Sequence, residues 1–281
     1  MMKGKGTVPG SMVVLCLMLV TSSFYVSAAS GTKLDAPRDQ RVVYLGNEAL
    51  LIQVGAAKIL FDPFFHNDYG IYQLVPDQMR ADIFAGKAPF NDITAIFVSH
   101  AHGDHFTADD MMKYLRNWQN VHLIAPAQAV RALKAEIGFD EIASRVIGVN
   151  LALGDPVWRR MLGNLDIEAI RIPHSGWPER ASVENVVFRV KIDGKVSVTH
   201  LGDADANMRH YQAYRDHWSK QPTDVAFPPY WFKVNPAGYE ILHEHMNVKR
   251  AIGIHVPKVV PPKLRQSGEE FFSKPGEEIE L

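Results

Sequence analysis

Three histidines and one aspartate stand within six residues at positions 100–105, directly after an apolar run. The stretch formed by residues 96–106 reads IFVSHAHGDHF. A buried core accommodates three imidazoles poorly, because each ring brings polar nitrogens that need a partner once they leave water. Metal binding supplies such a partner, since imidazole and carboxylate groups are common ligands of transition metals. This motif therefore requires a fold that brings further ligands to it.

The spacing within the motif indicates two metal positions. His100 and His102 are two residues apart in an extended or turning segment, so both imidazoles can approach one ion. Gly103 lets the backbone bend tightly, and Asp104 and His105 then face a neighbouring position at the start of a helix. Four ligands from one short loop are more than one tetrahedral ion takes. Two adjacent ions, each completed by residues from elsewhere, fit better.

Apolar runs bounded by turn formers predict short strands in the first half of the chain. They are residues 41–45, 49–54, 58–61, 93–99 and 121–126. Residues 66–92 have weak periodicity and many turn formers, which predicts an irregular surface segment that borders a site. Thr107 and Asp110 form a capping-box pattern before a helix with a buried face. A second helix is predicted over residues 126–137.

The second half of the chain predicts mainly strands, with one helix at residues 236–248. The strands are residues 166–174, a hairpin within residues 185–205 that turns at Asp193-Gly194, residues 223–232 and residues 251–257. The acidic residues 274–281 are expected to be peripheral. Without a repeat or a linker rich enough to divide the chain, residues 30–281 are expected to form a single domain.

Four candidate ligands share one position relative to these strands. Each stands at or just beyond the carboxyl end of a predicted strand, and they are His100, His174, Asp203 and His255. Scattered structural histidines would not follow such a rule. The pattern therefore predicts that one edge of the sheets carries the site.

The motif HAHGDH resembles the signature of the metallo-β-lactamase superfamily of dinuclear metallohydrolases. The later motifs of that family resemble IPHSG at His174, HLGDAD at Asp203 and GIHVP at His255, in the same order. The stretch ILFDPFF resembles its first motif, in which Asp62 has a structural role. The resemblance covers residues 40–257 and leaves no ligand position empty. It implies an α/β (α+β) fold, an αββα sandwich of two mixed sheets flanked by helices.

The resemblance also assigns the ligands. The first ion would be held by His100, His102 and His174; the second by Asp104, His105 and His255; and Asp203 would bridge the two. Two ions about 3.5–4 Å apart can share a hydroxide formed near neutral pH. That hydroxide would attack a carbonyl carbon or a phosphorus, with Asp104 as the catalytic residue that orients it. Zinc is the default ion, and iron or manganese are used by some relatives.

Family branches differ at two informative positions. True β-lactamases of this fold carry Cys or Ser where this chain has Asp203, so the resemblance points away from antibiotic hydrolysis. It suits the lactonase, thioesterase and phosphodiesterase branches. Residues 44–65 resemble the branch with ascorbate-phosphate lactonase and the N-acyl-phosphatidylethanolamine phospholipases. Those relatives usually have His in place of Asn47, which weakens any transfer of their substrates to this chain but does not affect the metal ligands.

The first 29 residues read as a secretory signal: Lys3 and Lys5, then a short apolar run, then small residues ending at Ala29. An uncleaved anchor is the alternative, but the apolar run is shorter than the roughly 20 residues that span a bilayer. Nothing after residue 30 is apolar for long enough to do so. Cys16 is the only cysteine, so the mature chain would bind metal through nitrogen and oxygen alone.

The mature chain is mildly acidic, which bears on its partners. Removing Lys3 and Lys5 from 30 basic residues leaves 28 against 31 acidic ones, a formal charge of −3. A nucleic-acid partner normally requires a basic face, so none is expected. The expected protein is a secreted or periplasmic hydrolase of a small-molecule ester, lactone or phosphodiester, of undetermined oligomeric state. The alternatives are a non-catalytic metal-binding protein of the same fold and a nuclease-type member.

Several polar residues are expected to be structural rather than functional. His200 reads as a core histidine, and Asp205 as a neighbour of the site rather than its bridge. Residues 66–92 and 228–236 are expected to shape the pocket. The aromatic cluster Tyr230, Trp231 and Phe232 is interpreted first as core packing, with lining of the pocket by Tyr230 or Trp231 as the alternative. Lys233 is expected to be solvated rather than to bind an anionic substrate.

Overall fold

The computed structural model describes residues 40–281 together with residues 1, 2, 4 and 6. Spatial clustering separates the chain into Met1–Ala36 and Pro37–Leu281, and the architecture below belongs to the second unit. The predicted signal at residues 1–29, with Cys16, lies almost wholly outside the described residues and stays a prediction. No helix among the described residues combines the length and the apolar character that crossing a bilayer requires.

Two mixed β-sheets form the centre of the molecule. Along the first sheet the strands are β13 (Glu278–Glu280), β1 (Gln40–Gly46), β2 (Ala49–Val54), β3 (Ala57–Phe61), β4 (Ala95–Phe97), β5 (His122–Pro126) and β6 (Val146–Val149). Along the second they are β12 (Val248–Ala251), β11 (Thr223–Phe227), β10 (Val196–His200), β9 (Val186–Ile192), β8 (Leu165–Arg171) and β7 (Trp158–Leu162). The run from β3 to β6 is parallel, as is the run from β10 to β12.

Helices pack on the outer faces of both sheets. They are α1 (Asp77–Ala85), α2 (Ala108–Asn117), α3 (Ala127–Lys134), α4 (Arg215–Lys220), α5 (Pro236–Glu240) and α6 (Pro262–Gln266). One apolar cluster joins the first sheet to α1–α3, a second joins the other sheet to α4 and to the π-helix Ile241–His245 that follows α5, and a third lies between the sheets. These layers confirm the αββα sandwich that the sequence predicted.

Alternation along the strands produces these layers, because successive side chains of a strand point to opposite faces. In β3, Phe61 belongs to the cluster between the sheets, whereas Leu60 belongs to the cluster under α1–α3. Phe97 of the first sheet meets Phe188 of the second at 5.3 Å between ring centroids. The contact between the sheets therefore rests on large rings in a preferred edge-to-face arrangement.

The segment at residues 66–92 is less irregular than the sequence predicted. Helix α1 begins after Pro76 and ends at Gly86, whose φ of 60° is left-handed. Only Ile83 of its residues is buried, so the helix shows almost no apolar periodicity, and sequence patterns cannot detect it.

The predicted capping box at the start of α2 was wrong. Thr107 does precede the helix, but its hydroxyl donates to the Phe64 carbonyl at 3.4 Å rather than to the helix. The Asp110 carboxylate accepts a hydrogen bond from Arg80 instead. Residues distant in sequence have replaced the local cap. The Thr107 hydroxyl and the Asp110 carboxylate each form a hydrogen bond with a nearby group outside the helix.

Strand pairing differs from the sequence prediction at three places. The C-terminal residues are not merely peripheral, since β13 pairs antiparallel with β1 and forms an edge of the first sheet. The predicted strand at residues 251–257 is mostly an irregular continuation of β12 with single bridges at Gly253 and Ile254. The sequence prediction also missed β6 and β7. The hairpin of β9 and β10 is confirmed, with Asp193 and Gly194 both at positive φ in its turn.

Candidate metal centre

The carboxylate of Asp62, directly after β3, fixes the position of the loop that carries the histidine motif. Asp62 accepts hydrogen bonds from the Ser99 backbone N–H at 2.7 Å and from the Ser99 hydroxyl at 2.5 Å. Its Oδ2 also lies 2.9 Å from Nδ1 of His105. A proton held on Nδ1 leaves Nε2 of His105 free to bind a metal, as second-layer carboxylates do for metal-bound histidines. This arrangement matches the structural role expected for Asp62.

The structure brings all seven predicted ligands together in two adjoining groups. The first is His100, His102, His174 and Asp203, and the second is Asp104, His105 and His255. Within each group the ligand atoms lie within 4.8 Å of one another. The strand-end pattern in the sequence therefore did identify side chains that meet at one edge of the sheets.

Asp203 lies between the two groups and offers one oxygen to each. Its Oδ2 is 3.1 Å from Nε2 of His174 and 3.9 Å from Nε2 of His100. Its Oδ1 is 3.1 Å from Nε2 of His255 and 3.5 Å from Nε2 of His105. This is the geometry of a carboxylate that can span two cations.

The backbone around Asp203 is held by Asn185. The Asn185 side-chain oxygen accepts from the Asp203 N–H at 3.0 Å, and its amide donates to the Leu201 carbonyl at 3.2 Å. Gly202 has a left-handed φ of 54°, and a Cβ there would lie 2.4 Å from the Asn185 oxygen and 2.7 Å from Ser99 Cβ. Only glycine fits this close approach, which brings the Asp203 loop against the histidine loop.

Asn47, in the turn between β1 and β2, holds the second group. Its amide donates to the Asp104 carbonyl at 2.9 Å and lies 3.4 Å from Asp104 Oδ2. Its own carbonyl accepts from the His255 N–H at 3.0 Å. Oδ2 of Asp104 is 3.5 Å from Nε2 of His255 and 3.6 Å from Nε2 of His105. The residue that departs from the related branch thus positions two predicted ligands.

Charges within the buried cluster lower the pKa of the Asp203 carboxyl and raise the pKa values of the His105 and His255 imidazoles. Burial raises the pKa of Asp203, but the neighbouring His255 and His105 lower it more, so the pKa lies well below its usual range. Burial lowers the pKa of His105, but Asp203 and the hydrogen bond to Asp62 raise it more, to about 9. The same balance, with Asp203 and Asp104, raises the pKa of His255. Without metal, the carboxylates around His105 and His255 therefore favour the protonated form of both imidazoles.

The first group has a different character. Burial lowers the pKa of His100 well below its usual range and lowers the pKa of His102 as well. Nδ1 of His174 lies 2.6 Å from the Ser175 carbonyl, a contact that orients the ring so that Nε2 faces Asp203. Neutral imidazoles with a free ring nitrogen are the form that binds metal.

The donor set fits two divalent ions. Nε2 of His105, His174 and His255 and Oδ1 of Asp203 are all buried and form no hydrogen bond. A buried polar atom without a partner costs about 1–3 kcal/mol. Four such atoms that face one another at the boundary of the two groups are explained if cations bind between them.

Glu48, Asn185 and Arg180 are residues of this region that the sequence analysis missed. Glu48 follows Asn47 and is fully buried, and burial raises the pKa of its carboxyl well above its usual range. A charged residue inside the apolar run LGNEALLI was the available signal, but a glutamate beside a turn is usually solvated. Arg180 gave no signal, because it comes from an irregular loop after His174.

A cavity of about 350 Å³ opens over the two groups. It is lined by Tyr69, Ile71, Tyr72, His102, Asp104, Arg180, Asp203 and His255. The first three confirm that part of residues 66–92 borders the site. The ring of Tyr72 meets that of His255 edge-on at 4.1 Å between centroids.

Residues 228–236 do not line this cavity, contrary to expectation. The indole of Trp231 donates to the Ala204 carbonyl at 3.0 Å, and its ring lies 5.4 Å from that of His255. Lys233 is not solvated as expected, because its ammonium binds the Ala251 carbonyl at 2.9 Å and Glu269 at 2.5 Å. These residues therefore contact neighbouring backbone segments and do not line the cavity.

Two further expectations are confirmed. His200 is a buried core residue whose Nε2 lies 3.0 Å from the Glu48 carbonyl and whose ring stacks on Phe61 at 4.7 Å. Asp205 points away from the ligands toward His210, with 3.6 Å between Oδ1 and Nε2. Asp203 is therefore the carboxylate placed to bridge.

Comparisons with known proteins show which families and proteins this sequence is similar to. The profile of the beta-lactamase superfamily domain matches residues 41–231. Over 65 residues, 23% of each chain, the sequence is 37% identical to a UPF0173 metal-dependent hydrolase of Alkaliphilus metalliredigens, so this match spans about a quarter of that relative. A second such hydrolase, from Pyrococcus furiosus, is 25% identical over 260 residues, 86% of this chain and 99% of the relative.

A solved structure shows the same fold. The metallo-beta-lactamase fold protein YhfI from Bacillus subtilis superposes with a TM-score of 0.56 at 14% sequence identity. The superposition covers 86% of this chain and 99% of that protein.

Replacing Asp203 by alanine is expected to remove bound metal. The purified wild-type protein should contain about two ions per chain, and Asp203→Ala should lose at least about half of them, because both ligand groups lose one oxygen. Elemental analysis measures the content. Asp205→Ala is the matched control, since its carboxylate points away, and it should retain the wild-type content. Equal metal content in the two variants would refute the bridging role.

Metal affinity is expected to rise with pH up to about 9. Below that pH the proton on His105 competes with the ion, and displacing it makes affinity rise about tenfold per pH unit. Because the pKa of His105 is about 9, the rise should end near that pH. Titration against a competing chelator between about pH 6.5 and about pH 9 measures it. A constant affinity over this range would show that no proton is displaced.

Proposed function

We propose that this chain, which belongs to the beta-lactamase superfamily, is a metal-dependent hydrolase of a small-molecule ester, lactone or phosphodiester. The observation that carries the proposal is the position of Asp203, whose two oxygens face two separate ligand groups. The relatives named metal-dependent hydrolases support the same reaction class. A dinuclear centre is part of the proposal.

Bound at these groups, two divalent ions would supply a water activated near neutral pH and would polarise the bond to be cleaved. The chain's own residues position the reactants. Asp104 lines the cavity and is held by the Asn47 amide, so it is placed to orient an attacking water. Tyr72 covers one side of His255 and limits the access of bulk solvent to that side of the centre.

Zinc is the ion proposed by default. Three imidazoles and one carboxylate in the first group are donors that zinc commonly binds with tetrahedral geometry. Iron and manganese also bind such nitrogen and oxygen donors, so metal content has to be measured on protein from its natural source.

Export from the cytoplasm is proposed from the signal-like residues 1–29 alone. The absence of cysteine from the expected mature chain is compatible with export, since no thiol needs protection from oxidation. N-terminal sequencing of the exported protein tests this: a start near residue 30 supports cleavage, and an intact N-terminus contradicts it.

The cavity favours a small substrate that carries a negative charge. Its volume of about 350 Å³ suits a small molecule. Arg180 is the only lysine or arginine among its lining residues. Its aliphatic part packs near Gly176, and its guanidinium forms no ion pair with any described carboxylate. Together with the negative formal charge of the expected mature chain, this supports a small anion rather than a nucleic acid.

A non-catalytic metal-binding protein of the same fold is the second candidate. The intact set of seven ligands and the open cavity above them argue against it, because storage of an ion does not require a cavity of substrate size.

Turnover on a panel of esters, lactones and phosphodiesters tests the proposed function. The metal-loaded wild-type protein should hydrolyse at least one class, and His102→Ala should lose about 100-fold or more in kcat/KM, because a first-layer ligand is missing. His122→Ala, a histidine outside the centre, is the matched control and should retain activity. Absence of turnover across the panel by fully loaded protein would favour the non-catalytic alternative.

Removing the charge of Arg180 is expected to impair binding of anionic substrates selectively. A hydrogen bond between charged groups contributes about 1.5–3 kcal/mol, so Arg180→Gln should raise KM about tenfold or more for a substrate with a carboxylate or phosphate group. KM for a neutral analogue should change little, and Arg209→Gln, an exposed arginine outside the cavity, is the control. An equal change for both substrates would mean that Arg180 does not recognise charge.

A further inference from the structure

The turn between β1 and β2 places a carboxyl group under the second ligand group. Glu48 is fully buried, and neither of its side-chain oxygens has a hydrogen-bond partner. Its backbone is held firmly, since the Glu48 carbonyl lies 3.0 Å from Nε2 of His200 and the preceding Asn47 binds Asp104 and His255. The side chain therefore has little freedom to move toward solvent.

The nearest polar atoms cannot satisfy this carboxyl group. Oε2 of Glu48 is 3.7 Å from Nε2 of His200 and 3.8 Å from Nδ1 of His105. Nε2 of His200 already meets the Glu48 carbonyl, and its Nδ1 accepts from the Gly202 N–H at 3.2 Å. Nδ1 of His105 already meets Asp62 at 2.9 Å. Both rings already have other hydrogen-bond partners, so neither donates a hydrogen bond to Glu48.

A cation bound at the second ligand group would stabilise the ionised carboxyl of Glu48. Ligand atoms of Glu48, His105 and Asp203 lie within 4.8 Å of one another, a spacing compatible with binding to one ion. A buried carboxylate without a counter-charge costs several kcal/mol, so a fully buried glutamate beside two further carboxylates requires either a proton or a metal ion.

We propose that Glu48 is a third carboxylate ligand of the second ion, beside Asp104 and Asp203. The second position then offers three carboxylates and two imidazoles, against one carboxylate and three imidazoles at the first. Oxygen-rich sites of high coordination number suit Mn²⁺ or Fe²⁺, whereas the first position suits Zn²⁺. The two positions therefore select different ions. This rests on the proposed two-ion centre, although not on any hydrolytic activity.

Binding of Mn²⁺ to the wild-type protein and to Glu48→Gln tests the proposal. The glutamine has nearly the same shape but no negative charge. The wild-type protein should bind a second ion as Mn²⁺, followed by the electron paramagnetic resonance signal of free Mn²⁺. Glu48→Gln should weaken that second site at least about tenfold, and competition with a chelator should show Zn²⁺ affinity at the first site unchanged.

Glu168→Gln is the matched control, because Glu168 is also a buried glutamate but lies outside both ligand groups, paired with Arg189. It should bind Mn²⁺ as the wild type does. Unchanged binding in folded Glu48→Gln would overturn the proposal and leave the hydrolase function standing, with Glu48 a protonated core residue. A wild-type protein that never binds a second ion would overturn both this proposal and the proposed two-ion centre.

A crystal structure of the Mn²⁺-loaded wild-type protein decides the matter even if Glu48→Gln fails to fold. Anomalous scattering locates the ion, and a Glu48 oxygen should lie at coordination distance from it. A Glu48 carboxyl that stays away from an ion bound by Asp104, His105 and His255 would contradict the proposal.

Discussion

The attraction between Asp203 and the imidazoles on both sides of it is the interaction on which the site depends. Each of its oxygens faces a different set of ring nitrogens at 3.1 Å and beyond. A single buried carboxylate could not offset the cost of taking so many polar groups out of water. The arrangement becomes favourable once positive charge lies between the oxygens and the rings, whether as protons on His105 and His255 or as bound cations. The site is thus built for cations.

The architecture holds this cluster through a second layer of polar contacts that reach across the two sheets. Asp62 connects the end of β3 to His105, Asn185 fixes the Asp203 loop, and Asn47 binds the segments of Asp104 and His255. Each of these groups satisfies backbone atoms at strand ends that would otherwise be buried without partners. Structural stability and ligand placement are therefore served by the same hydrogen bonds, so substitutions in this layer should affect both.

The two halves of the centre differ in charge, and this difference connects the proposals. The first group is dominated by neutral imidazoles, whereas carboxylates surround the second, including the unpartnered Glu48. Arg180 is the one lysine or arginine among the residues that line the cavity. This positive charge beside the ligand groups is the reason for proposing a small anionic substrate.

The sequence by itself determined the fold class and predicted the candidate ligands that meet at one edge of the sheets. The signals were the dense histidines after an apolar run and the further candidate ligands after later strands. Both can be recognised from sequence alone, because strand ends and turns depend on a few neighbouring residues. Only the tertiary structure decided the roles of Glu48, Asn47 and Arg180, the existence of α1 and the pairing of β13 with β1. Each of these depends on partners distant in sequence: Glu48 is buried only because the second sheet closes over its turn, and α1 buries only Ile83. Local patterns carry no record of such contacts, because burial and charge pairing arise between segments that meet only after folding.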